Sequence, residues 1–106
     1  MPDRNIIDKI INAVLKVLVP DKIILFGSQA RGDARPNSDY DILVIKSGIE
    51  NGSKIEGDIY EKLFYEDFLA SVDVLVATPE IVEQYKDSLG CVLKPALKEG
   101  ILIYGG

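Results

Sequence analysis

Alternating periodicities limit the fold of this chain more than any other feature. Apolar residues recur at helical spacing through Ile6, Ile7, Ile10, Ile11, Val14, Leu15 and Leu18, and Asp3 stands where an N-cap belongs. This helix is expected to reach about Val19, because Pro20 disfavours helical geometry in the residue before it. Ile23 to Phe26 reads as a short buried strand. Gly27 to Ser38 reads as a turn with one helical turn at Ser28 to Arg31, and Tyr40 to Lys46 as a second strand. A polar loop, Ser47 to Ser53, leads into a helix from about Lys54 to Phe68, and Val72 to Ala77 is a third strand. Pro79 follows Thr78 at N1, where its missing N–H costs nothing, and opens a helix to about Leu89. Gly90 ends that helix or bends the chain into another that runs through Lys98. Glu99-Gly100 closes it before a last strand, Ile101 to Tyr104. Strands alternating with helices give an α/β (α+β) fold, a small sheet with flanking helices.

Composition narrows the chemistry. The 106 residues fit one domain, 1–106, with no repeat and no linker. No apolar run approaches the ~20 residues that span a bilayer, and no signal-peptide pattern is present, so a soluble, cytoplasmic protein without membrane contact is expected. Twelve Lys and Arg against 17 Asp and Glu leave a net charge of −5. That balance argues against a direct nucleic-acid footprint, which needs a basic face, and leaves room for a small anion site. A single cysteine, Cys91, rules out an intrachain disulfide or a Cys-based zinc cluster and reads as a small core or interface residue. There is no histidine, so Ser-His-Asp and Cys-His catalysis and His-ligated metals are excluded. Carboxylates, hydroxyls, Arg, Lys and the backbone must supply any chemistry.

Those groups concentrate between Leu25 and Val44. Asp39 and Asp41 alternate onto one face of the second strand, about 6–7 Å apart along it, and Leu43 and Ile45 continue that face into apolar surroundings. Asp73 interrupts the run Val72 to Val76, which otherwise reads as buried. Ionised Asp is rarely buried without a partner. If the two strands are neighbours, three carboxylates converge, and hard oxygen ligands suit Mg²⁺ or Mn²⁺. The acids alone also fit a second arrangement, in which Asp39 starts the strand, Asp41 faces water on an edge and Asp73 pairs with a lysine. Gly27 lets the backbone approach a ligand, Ser28 offers a hydroxyl and an N–H, and a helical turn at Ser28 presents donors to phosphate. Arg31 and Arg35, two of only three arginines, add charged donors or else pair with Asp33 or Asp39. A phosphate cradle beside a carboxylate cluster is what metal-assisted nucleotidyl transfer needs.

Gly27-Ser28, ten intervening residues and Asp39-x-Asp41 resemble the G-S-x10-D-x-D signature of the polymerase-β-like nucleotidyltransferase superfamily. The fuller string, from Gly27 through Ala30-Arg31-Gly32-Asp33-Ala34 and Ser38-Asp39-x-Asp41 to Val44, is similar to the minimal nucleotidyltransferases of bacteria and archaea, over essentially the whole chain. The resemblance implies a mixed sheet with flanking helices, the nucleotidyltransferase fold. It implies that Asp39, Asp41 and Asp73 are the catalytic and metal-binding residues, holding two Mg²⁺ ions, and that Gly27, Ser28, Arg31 and Ser38 hold the phosphates of an ATP substrate. It also implies a partner. Many members sit beside a HEPN-domain ribonuclease toxin and act as its antitoxin by moving AMP from ATP onto a toxin tyrosine, so a hetero-oligomer with that toxin is expected.

Two other readings stand beside this one. A non-catalytic nucleotide-binding module would neutralise its partner by binding alone. An enzyme acting on a small molecule or an RNA end is disfavoured by the acidic balance and by the lack of anything resembling an acceptor-holding domain. The broad stripe of the first helix and Tyr60, Tyr65 and Phe68 on the middle helix read as packing, and Glu61, Glu66 and Asp67 as a solvated face.

Overall fold

Capping side chains set where the helices begin. Asp3 Oδ1 accepts the N–H groups of Asn5 (2.8 Å) and Ile6 (3.4 Å), starting α1 (Arg4–Leu15). The helix stops before the expected Val19. The N–H groups of Val17 and Leu18 both turn back to the Val14 carbonyl, at 2.9 and 3.0 Å, and the two side chains pack against the core. The computed structural model describes residues 3–32, 39–66, 70–86 and 93–105. Ser38, Arg35, Asp33, Cys91, Asp67 and Gly90 lie outside the described residues, while the helices expected to reach Phe68 and Leu89 end earlier, at Phe64 and Tyr85.

β1 (Lys22–Phe26) leads through α2 (Ser28–Arg31) to β2 (Tyr40–Ile45). The crossover helix α3 (Gly52–Phe64) begins earlier than the expected Lys54, because Asn51 caps it by accepting the Lys54 N–H at 3.1 Å. Then come β3 (Val72–Ala77) and α4 (Pro79–Tyr85), which has Pro79 in its first turn and Thr78 accepting the Ile81 N–H at 3.1 Å. α5 (Leu93–Glu99) and β4 (Ile101–Gly105) complete the described chain.

The sheet has the order β3-β2-β1-β4. β1 pairs antiparallel with both β2 and β4, while β2 and β3 run parallel, so the sheet is mixed as expected. Alternation along the strands divides the interior in two. On one face Ile23, Leu25, Tyr40, Ile42, Val44, Val74 and Val76 pack against Ile7, Ile10 and Val14 of α1 and Ile59 and Leu63 of α3. On the other, Leu43, Ile45 and Ala77 meet Ala96 of α5, with Phe26, Leu75, Val82 and Leu97 at the margin. Each fully buried Ile or Leu of the thicker side contributes about 1.5–3 kcal/mol. The thinner layer is the one that leaves room for polar groups.

Candidate active site

The chain leaves β1 at Phe26 and turns at Gly27, whose φ of 74° and ψ of −158° lie in a region that only glycine enters freely. A Cβ at that position would collide with Asp41 Oδ2. Gly27 is therefore required twice over, once by its torsions and once by the carboxylate beside it. The Gly27 carbonyl accepts the N–H groups of Ala30 and Arg31, both at 3.1 Å, which closes the short turn of α2. Gly32 ends it in the left-handed conformation, with φ 83°.

The strand register brings the acids together. Asp41 lies opposite Phe26 on β1 and opposite Asp73 on β3, so Gly27, Asp41 and Asp73 occupy neighbouring positions at one end of the sheet. Asp39 precedes β2 by one residue and is close enough for its charge to act on Asp41. The Asp41 carboxyl is held above its ordinary value, first by burial and then by the Asp73 charge and a hydrogen bond to the Asp73 side chain. Asp39 adds to the rise, and Arg31 opposes it.

Asp73 departs from the expectation of burial. It is exposed, because β3 is an edge strand and its Asp73 side faces the thinner α4–α5 layer. Among the described residues Asp73 has no lysine partner, and Asp41 lies on an interior strand between β1 and β3, so neither follows the second arrangement of the acids.

Arg31 is half-exposed and its Nη1 lies 3.6 Å from Glu99 Oε2, at the end of α5. Sequence reading gave Arg31 to the phosphates, with Asp33 or Asp39 as its alternative partners, and missed Glu99. The signal lay in Glu99-Gly100. A Cβ at Gly100 would overlap the Ala96 carbonyl and Ile24 Cγ2, so this turn must press against β1, and that brings Glu99 to the Arg31 side of the sheet.

The donor set fits a hard divalent cation. Asp39, Asp41 and Asp73 offer only oxygen, and a cation beside Asp41 would offset the Asp73 and Asp39 charges that raise its carboxyl. As the side chains stand, no three of the described acidic residues form a group ready to hold a metal ion. Among the described residues, no helix is long and apolar enough to cross a membrane.

Residues 7–104 match the nucleotidyltransferase domain family, nearly the whole length of the chain. This chain belongs to that family. Two solved structures share the nucleotidyltransferase fold, each with a TM-score of 0.60. One is a candidate nucleotidyltransferase from Sulfolobus solfataricus, 22% identical, covering 93% of this chain and 78% of its own. The other is a toxin–antitoxin structure with AMP-PNP, 20% identical, covering 94% of this chain and 73% of its own. Among curated protein sequences, none matches.

Proposed function

We propose that this nucleotidyltransferase is Mg²⁺-dependent and acts as the antitoxin of a HEPN-domain toxin, transferring AMP from ATP onto a tyrosine of that partner. The observation that carries the reading is the pairing of Asp41 with Asp73 across two parallel strands, beside a turn that only glycine can make. The likeness in fold to a toxin–antitoxin structure with AMP-PNP supports the partner and the nucleotide.

In this reading Gly27, Ser28, Arg31 and Ser38 hold the triphosphate. Asp39 and Asp41 would hold both Mg²⁺ ions, and Asp73 the ion beside the acceptor. The metal would supply charge neutralisation at the phosphates and acidify the acceptor hydroxyl. The tyrosine oxygen bonds to the α-phosphorus, and the bond from that phosphorus to the bridging oxygen breaks. Diphosphate leaves with the electron pair. The hydroxyl proton passes to Asp73, since the chain has no histidine to take it. A tyrosine hydroxyl, with a pKa near ~10, ionises more readily than a serine hydroxyl.

Intact mass spectrometry tests this after incubation with ATP, Mg²⁺ and the HEPN-domain partner. The expected result is a partner heavier by one or more AMP units, a gain lost with Asp73→Asn or with chelator. Full transfer by Asp73→Asn would remove Asp73 from the reaction. A partner that binds tightly and stays unmodified would overturn the enzymatic reading in favour of a module that neutralises by binding alone.

A further inference from the structure

β3 is an edge strand, yet its outer edge is engaged. The bonds from Tyr40 N–H to the Ser71 carbonyl (2.9 Å) and from Lys46 N–H to the Ala77 carbonyl (3.0 Å) turn the odd-numbered residues of this segment toward β2. The even-numbered residues therefore point their N–H groups away from the sheet. Two of these meet side chains of α3. Val74 N–H donates to the Tyr60 hydroxyl at 2.8 Å, and Val76 N–H donates to Glu56 Oε2 at 2.9 Å, both partly buried. Tyr60 and Glu56 stand one helical turn apart, so a single face of α3 grips alternate residues of the strand.

The residue that most needs such a grip is Asp73. It is held to the sheet by β2 on one side only, and its use depends on its staying opposite Asp41. We propose that Tyr60 and Glu56 are positioning residues. Their bonds to Val74 and Val76 keep β3 in place so that Asp73 stays opposite Asp41. The inference rests on the nucleotidyl-transfer reading for its effect on rate, and on the hydrogen bonds alone for its effect on the strand.

Tyr60→Phe removes one hydroxyl and keeps the ring, and Glu56→Ala removes the second acceptor. Two measurements on each variant separate the possibilities. Amide hydrogen exchange at Asp73 and Val74 reads the strand directly, without nucleotide. Faster exchange there than in the wild-type chain is expected, with exchange at Ile10 in α1 unchanged. Diphosphate release with ATP, Mg²⁺ and the HEPN-domain partner reads the consequence. The expected kcat is about 10-fold or more below wild type with KM for ATP little changed, since misplacement by an ångström costs up to ~10²-fold in rate. Glu56→Gln, which keeps an acceptor oxygen, should lose less than Glu56→Ala. Unchanged exchange at Asp73 in both variants overturns the positioning role, whether or not the chain transfers nucleotide. Faster exchange with an unaltered kcat overturns the link to Asp73. A wild-type chain that releases no diphosphate overturns the transfer reading and the rate effect with it, while the exchange data still decide the grip on the strand.

Discussion

Gly27→Ala is the sharpest probe of how the turn and the acids are joined. The substitution imposes two separate costs. A side chain in the torsional region of Gly27 costs about 1–3 kcal/mol. Forcing the new methyl against Asp41 Oδ2 adds an overpacking cost of about 1–3 kcal/mol. Gly32 provides the reference: its φ is 83°, but no atom of the described residues lies within 4 Å of an added Cβ, so among these residues Gly32→Ala bears only the left-handed penalty. That penalty is about 1–2 kcal/mol. At about 4–8 °C per kcal/mol for a domain of this size, Gly27→Ala should lower Tm by at least about 8 °C, and by more than Gly32→Ala. The contact is isolated by a cycle with Asp41→Ala. The Asp41 Cβ stands 3.5 Å from the added methyl, an ordinary contact, so removing the carboxyl should restore about 1–3 kcal/mol in the Gly27→Ala background. Thermal unfolding of the four proteins in chelator, followed by circular dichroism, gives the coupling. A Gly27→Ala defect no larger than that of Gly32→Ala, or additive single effects, would refute the reasoning.

Two further outcomes follow from the same site. Because the folded chain keeps the Asp41 proton to higher pH than the unfolded chain does, the group favours folding at acid pH and that contribution fades as pH rises through the folded value. Asp41→Asn is therefore expected to gain in Tm over the metal-free wild type as pH rises, with the gain absent below the ordinary value of 3.8; Tm measured across pH in chelator checks it, and a gain that shrinks with pH refutes it. Ser28→Ala should lower kcat/KM for ATP less than Arg31→Ala, since a neutral hydrogen bond contributes about 1 kcal/mol and a charged donor about 1.5–3. A larger defect in the serine variant would show that Arg31 does not reach the phosphates.

The strands were legible because short runs such as Val72 to Ala77 are dense in β-branched residues, and the helical turn at Ser28 because Gly27 and Gly32 bracket it. The meeting of Asp41 with Asp73 could be anticipated only on the condition that their strands are neighbours, and strand order leaves no mark in local periodicity. For the same reason Asp73 was expected in a buried strand although it sits on an edge. Tyr60 read as a packing residue, because helical spacing records which face a side chain occupies and not that its hydroxyl ends at the Val74 N–H. The ends of α1 and α3 differed from expectation where a tertiary demand, the inward turn of Val17 and Leu18, or a cap, Asn51, outweighed local preference.

The parallel pairing of β2 with β3 also sets when the site can exist. Gly27 follows β1 and Asp41 lies on β2, two strands that pair antiparallel, so their half of the site forms from contacts closer in sequence than those of β2 with β3. Asp73 arrives only after the chain has passed through α3 and docked a strand whose partner lies well behind it. Contacts of that separation are the slow ones in folding, because the loop must close before they give anything back. A chain emerging from the ribosome thus carries the Gly27 turn, Asp39 and Asp41 well before it carries Asp73. Gain of nucleotidyl transfer during refolding should lag the burial of the β1–β2 pair, making the reaction itself a clock for the docking of β3.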